Sequence, residues 1–172
     1  MALTHAPFYP TPHSKDLATA DKFKSDDRYF GDMIEYTGFC VTRILDQLDK
    51  LGLAEDTLVL FTTDNGSNRG IVSRQGARIV PGGKALPIDA GCHAPLLAVW
   101  KGKIHPGATC HDLIEFSDFL PTIAALSEAK LPTNRTLDGV SFLPQLMGER
   151  GNPRAAIFMH YDKDPMAKRP ST

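Results

Sequence analysis

The sequence predicts an α/β fold in which a mostly parallel or mixed sheet is flanked by helices, and three observations carry that reading. Apolar residues recur at steps of three and four across residues 27–51, the period of a helix with one buried face. Two short continuous runs, Thr57-Leu58-Val59-Leu60-Phe61-Thr62 and Ala94-Pro95-Leu96-Leu97-Ala98-Val99-Trp100, have the make-up of strands covered on both faces. A second helical pattern follows over residues 117–129, so helices and buried-type strands alternate along the chain.

The opening, Leu3-Thr4-His5-Ala6-Pro7-Phe8-Tyr9-Pro10-Thr11-Pro12, places three prolines close together, which removes backbone donors and biases their neighbours toward extended conformations. It reads as a loop, and as the start of a chain that begins inside a larger fold. The first helix is expected to bury Phe30, Met33, Ile34, Thr37, Val41, Ile44, Leu45, Leu48 and Leu51, with Ser25 or Asp26 as its cap and Gly52 as its stop. The strand after it ends at Asp64-Asn65-Gly66, a polar cluster at a strand's carboxyl end, where open α/β sheets bind ligands. Residues 67–87 show no usable periodicity and read as a long loop, a length more often functional than idle.

Beyond the second strand, the pattern over residues 117–129 turns Phe116, Leu120, Ile123, Ala124 and Leu126 inward, with Pro121 in the first turn where its missing donor does little harm. Leu137-Asp138-Gly139-Val140 reads as a turn, and Ser141 as the cap of a short helix through Leu146. A last strand is expected over residues 155–160. The domain then spans residues 1–160, a part of a larger one, and residues 161–172 form a flexible tail.

Composition narrows the function classes. Lys plus Arg number 19 and Asp plus Glu number 20, so the formal charge is −1, and no basic stripe tracks a phosphate backbone; nucleic acid is not an expected partner. No apolar run approaches the roughly 20 residues that span a bilayer. Cys40, Cys92 and Cys110 lack Cys-x-x-Cys spacing and imply neither a zinc site nor a complete disulfide framework.

Four residues stand out as chemistry-bearing. Asp64 and Asn65 offer adjacent oxygen donors suited to a hard divalent cation such as calcium or magnesium, although Asp-Asn-Gly taken alone is also a common turn. Gly82-Gly83-Lys84 sets a lysine after two residues that permit close backbone approach, which suits holding an anion by a point charge, although taken alone it also reads as a solvated loop lysine. His5, on the proline-rich loop, is a candidate proton or hydrogen-bond donor near neutral pH, although as a lone histidine it also reads as a packing or surface residue. Arg69, Arg74 and Arg78 form a basic cluster that reads either as a solvated face or as an anion contact.

Taken in order, these segments resemble the second half of a sulfatase of the alkaline-phosphatase-like superfamily. Thr4-His5-Ala6-Pro7-Phe8 resembles the family's His-x-Pro-Phe segment, and Leu60-Phe61-Thr62-Thr63-Asp64-Asn65-Gly66 its strand ending in Thr-Ser-Asp-Asn-Gly. Gly82-Gly83-Lys84 through Asp89-Ala90-Gly91-Cys92-His93-Ala94-Pro95 resembles Gly-Gly-Lys followed by Glu-Gly-Gly-x-Arg-Val-Pro, and Asp118-Phe119-Leu120-Pro121-Thr122 and Leu137-Asp138-Gly139-Val140-Ser141 resemble further family segments. The resemblance implies part of a sulfatase sandwich, with calcium held by Asp64 and Asn65 and with Lys84 and His5 as catalytic, sulfate-binding residues. It implies a sulfate ester as substrate and a periplasmic, secreted or lysosomal protein.

Two departures accompany it. Asp89-Ala90-Gly91 with His93 stands where the family has Glu-Gly-Gly and Arg. The formylglycine nucleophile is made in a Cys/Ser-x-Pro-x-Arg motif, and none of the three cysteines lies in one. Activity is therefore expected from a full-length protein. Two other readings remain open: a non-catalytic sulfate- and metal-binding module, and a sister hydrolase acting on phosphate or phosphonate esters. Self-association through exposed sheet edges is a further expectation.

Overall fold

A computed structural model describes residues 3–159. The expected tail over residues 161–172, and His160 at the end of the expected last strand, lie outside the described residues.

Helix α1 spans Tyr29–Lys50. Just ahead of it, Asp26 Oδ1 accepts the backbone N–H of Arg28, whereas Ser25 Oγ accepts that of Phe8 and so ties the proline-rich loop to the helix entry. At the far end Gly52 adopts φ +69°, and the N–H of Leu53 reaches back to the carbonyl of Leu48, closing the orphan carbonyls in the manner of a glycine stop. The buried face is narrower than its periodicity predicts: Tyr29, Met33 and Thr37 are buried, while Ile34, Ile44 and Leu51 are exposed.

Strands β1, Val59–Thr62, and β4, Leu96–Val99, pair as one two-stranded sheet. Strands β2, Val72–Gln75, and β3, Arg78–Pro81, form a separate antiparallel ribbon. The expected larger parallel or mixed sheet flanked by helices is therefore not present among the described residues. Its absence shows in burial: β1 is only half-buried along its length, and Leu97 and Val99 of β4 are largely exposed, so neither strand is covered on both faces.

The β2–β3 ribbon corrects the reading of residues 67–87 as irregular loop. Val72 faces Pro81 and Gln75 faces Arg78, leaving Gly76-Ala77 as a two-residue turn with Gly76 at φ +61°. Polar residues on both faces, including Ser73, Arg74 and Arg78, had hidden the alternation on which a strand assignment depends.

The described residues divide into two compact units. In the first, residues 3–54 and 61–96, Phe8, Tyr29, Met33 and Ile71 form the core, with Ala6, Ala20 and Phe30 packed against it. Phe8 and Phe30 meet edge to face at 5.4 Å.

The second unit, residues 55–60 and 97–159, is built around a 3₁₀ turn at Phe116–Asp118, helix α3 at Phe119–Leu126 and helix α4 at Leu143–Leu146. Its inward face agrees with the expected one at Ala124 and differs elsewhere. Pro121, Thr122 and Ala124 are buried, while Phe116, Leu120 and Ile123 lie more than half exposed. A polar node decides the rotation: Thr122 Oγ1 donates to the carbonyl of Asp118 and accepts the N–H of Phe142, which turns this side of the helix inward. No strand forms over the described residues 155–159; just before them Arg154 makes an isolated antiparallel bridge with Leu113.

Candidate functional site

The candidate residues all belong to the first unit, and backbone contacts draw most of them together. Asp64 and Asn65 follow the end of β1. The next residue, Gly66, donates its N–H to the carbonyl of Gly91 at 2.9 Å, and a Cβ on it would fall 2.0 Å from the carbonyl oxygen of Ala90. Ser67 then accepts two N–H groups, from Gly83 at 3.1 Å and from Lys84 at 2.9 Å. A Cβ on Gly83 would meet backbone atoms of Ala90 and Gly91 at 2.6 and 2.7 Å. Three segments distant in sequence, 64–67, 82–84 and 89–91, are thus layered so closely that only glycine fits between them.

That layering sets Asp64, Asn65 and Lys84 on loops bonded directly to each other. The Asp64 carboxylate is exposed and the Asn65 and Lys84 side chains are half-buried; none of the three side chains has a hydrogen-bond or ion-pair partner among the described residues. Short helix α2, Asp89–Cys92, flanks them, and His93 Nδ1 lies 3.1 Å from Asp89 Oδ1.

His5 is placed differently. Its loop hangs from the unit's core through Phe8, and among the described residues no hydrogen bond or ion pair joins His5 to Asp64, Asn65 or Lys84. The exposed imidazole bonds through Nδ1 to the carbonyl of Ala6; since a carbonyl only accepts, Nδ1 carries the proton and Nε2 is left for another partner. The peptide between Ala6 and Pro7 is cis. Two of the chain's positive-φ residues other than glycine flank the candidates, Thr4 at φ 70° beside His5 and Ala85 at φ 66° beside Lys84. Such conformations disfavour residues with a Cβ and cluster where the surrounding fold over-determines a site.

The donor chemistry fits part of a calcium site. Asp64 and Asn65 supply unpartnered oxygen donors, the kind a hard divalent cation takes, but two residues fall short of the six to eight oxygens calcium collects. Among the described residues no group of three or more His, Cys, Asp or Glu side chains gathers to hold a metal.

Sequence reasoning missed the most strongly bonded carboxylate. Asp118, 2% exposed, receives a two-pronged contact from the Arg154 guanidinium and the N–H groups of Glu115 and Val140. Burial pushes its carboxyl up, but hydrogen bonds from Arg154 and the two backbone donors outweigh this and hold it below the ordinary carboxylate value. Arg154 also donates to the carbonyl of Asp138 and pairs with Glu115 at 3.1 Å. Every acceptor is satisfied internally, so this is a structural clasp.

Asp64 and Asn65 just past a strand end and Lys84 on an adjoining glycine-walled loop are thus carried by segments bonded directly to each other. Residues 2–129 match the family described as Sulfatase, and the chain belongs to that family. It is 41% identical over 132 residues to arylsulfatase A of Homo sapiens, and 36% identical over 138 residues to steryl-sulfatase of Rattus norvegicus. These stretches cover 76% and 77% of this chain but 26% and 24% of the relatives, so the chain spans about a quarter of their length. Among solved structures, the PsFucS1 sulfatase from Pseudoalteromonas sp. matches with a TM-score of 0.65 at 27% identity, covering 87% of this chain and 29% of that one. No helix among the described residues is long and apolar enough to cross a membrane.

Proposed function

We propose that this chain supplies part of the calcium and sulfate site of a sulfuric ester hydrolase whose activity belongs to a full-length protein. The observation that carries the reading is the backbone bonding of the Lys84 loop to the loop that follows Asp64 and Asn65. In this reading Asp64 and Asn65 are calcium ligands. Lys84 holds a peripheral sulfate oxygen through its ammonium group. His5 contacts the sulfate and delivers a proton to the departing oxygen. The calcium ion, when bound, supplies positive charge against the sulfate oxygens as negative charge develops on them. Lysine and histidine serve the same end, because a sulfate ester develops further charge on its leaving alkoxide.

Mass and N-terminal sequence of the native protein, with hydrolysis rates on matched sulfate and phosphate esters, test this. A protein much heavier than 18.8 kDa that prefers sulfate and loses about 100-fold or more in kcat/KM on Lys84→Ala supports the proposal. A preference for phosphate overturns the sulfate assignment. A second reading is a sulfate- and metal-binding module that does not hydrolyse the ester. Calcium-dependent sulfate binding without turnover by the native protein would favour this non-catalytic module.

A further inference from the structure

The β2–β3 ribbon has two outer edges, and they differ. In an antiparallel pair, alternate residues turn their N–H and C=O toward the partner strand and the others turn theirs away. Gly82 donates to the carbonyl of Ile71 at 2.8 Å, so these two residues form a hydrogen-bonded position next to the pair of Val72 and Pro81. By alternation Ser73 and Gln75 bond to Val80 and Arg78 of β3, while Val72 and Arg74 turn their N–H and C=O outward. On the opposite edge Ile79 and Pro81 face out, and Pro81 has no N–H to offer. A proline guards the β3 edge, and the β2 edge is open.

A groove of about 560 Å³ runs along the open edge. One wall is the consecutive run from Gly70 to Arg74; the other is α1 and its entry, with Asp27, Phe30, Ile34 and Glu35. Side chains alternate between the two faces of a strand, so a wall of consecutive residues is the strand's edge rather than one of its faces. Ile34 and Val72 leave 49% and 67% of their surface exposed there. Asp27 and Glu35 face the groove from one side and Arg74 from the other, and none of the three has an ion-pair partner among the described residues. The Asp27 carboxylate lies at the ribbon's base, 3.5 Å from where a Cβ on Gly70 would stand.

Val72 and Arg74 sit symmetrically about Ser73, which makes the open edge complementary to itself. Two β2 strands paired antiparallel with Ser73 on a two-fold axis set Val72 opposite the partner's Arg74, and Arg74 opposite the partner's Val72. Every outward N–H and C=O of both strands then finds a bonding partner. The same register brings the partner's Arg74 to the Val72 end of the groove, two residues from Gly70 and toward the Asp27 carboxylate. We infer that the open β2 edge is a homodimer interface, at which the ribbons of two copies join in one antiparallel sheet of order β3-β2-β2-β3. An unrelated extended segment would meet the same backbone groups; a second copy also supplies a basic residue at the position nearest Asp27. This interface is independent of the sulfate-ester reading above.

Sedimentation velocity of the full-length protein at micromolar concentration tests the pairing, and the parent is expected to be a dimer. Val72→Pro removes an outward donor and leaves the bonds to β3 in place, so it should raise the dimer Kd about tenfold or more. Ile79→Pro makes the same change on the guarded edge and should leave the dimer unaltered. Arg74→Glu and Asp27→Lys should each weaken the dimer alone, whereas an equimolar mixture of the two variants should restore it, since every contact in the mixed dimer again joins opposite charges. That rescue needs two folded chains, so it decides the question even if Val72→Pro fails to fold. Ser73→Cys should form a disulfide-linked dimer beyond any the parent forms, because residues on the axis are a non-hydrogen-bonded pair with Cα atoms about 4.5 Å apart. Val72→Cys, set opposite an arginine, should not. A monomeric parent overturns the interface, as does a dimer that Val72→Pro leaves equally tight or that the charge-swapped mixture fails to restore. A monomer whose Val72 and Arg74 amides resist hydrogen exchange would give the edge to another segment of the full-length protein, which also overturns the second copy as its occupant.

Discussion

At the scale of single residues, Asp118 shows how much one buried carboxylate can organise. It joins Arg154, 36 positions away in sequence, to the 3₁₀ turn ahead of α3 and to the backbone at Val140. Removing one partner of such a pair strands the other charge, a loss of about 3–5 kcal/mol, so Asp118→Ala is expected to lower stability in urea titration by an amount near that range. The folded carboxyl titrates below its unfolded value of about 3.9, so the stabilisation is fully present above that value. It fades as pH falls through the lowered folded pKa. Stability of the parent protein should thus drop through the acid range, and Asp118→Asn should flatten that drop; parallel pH profiles of the two proteins would reject the clasp.

At the scale of elements, the loop layer around Lys84 depends on glycines that face backbone rather than flexible side chains. A Cβ at Gly83 would lie within 2.8 Å of several atoms of Ala90 and Gly91, and one of the segments would have to move. Gly83→Ala is therefore expected to cost about 1–3 kcal/mol, and to lower sulfate affinity with it, because Lys84 is the next residue. Gly38, in mid-helix α1, offers the contrast: a Cβ there meets nothing within 4 Å. Gly38→Ala should stabilise by roughly 0.5–1 kcal/mol. Thermal melting of the two variants, with sulfate titration, checks both signs; a stable Gly83→Ala protein with unchanged sulfate binding would contradict the close layering.

At the scale of the whole chain, the balance of buried and exposed apolar surface is unusual. Among the described residues the buried apolar side chains are few, namely Phe8, Tyr29, Met33, Ile71, Pro121, Ala124 and Phe142. Phe116 in the 3₁₀ turn, Leu120 and Ile123 on α3, Leu97 and Val99 on β4, and Ile34 and Ile44 on α1 are all about half or more open to solvent. Apolar faces and uncovered strand edges of this kind favour association. The isolated 172-residue chain is expected to self-associate or precipitate at micromolar concentration, with sedimentation velocity as the measurement. A monodisperse monomer that melts cooperatively would show that the described packing is sufficient by itself.

What the sequence determined was local. Asp64-Asn65-Gly66, Gly82-Gly83-Lys84, the glycine stop of α1 and the existence of α1, β1, β4 and α3 were all legible, because turn chemistry, periodicity and ordered motifs act between near neighbours. Tertiary structure decided what depends on distant partners. The β2–β3 ribbon became visible only through its pairing, and α3 turned Thr122 rather than Leu120 inward to reach Phe142, 20 residues on. The contact of Ser67 with Lys84 likewise joins residues that nothing in their local sequence connects. Hydrogen bonds and close packing between remote segments are set by the folded arrangement of the chain, and it is these contacts that bind the Lys84 loop to the loop following Asp64 and Asn65.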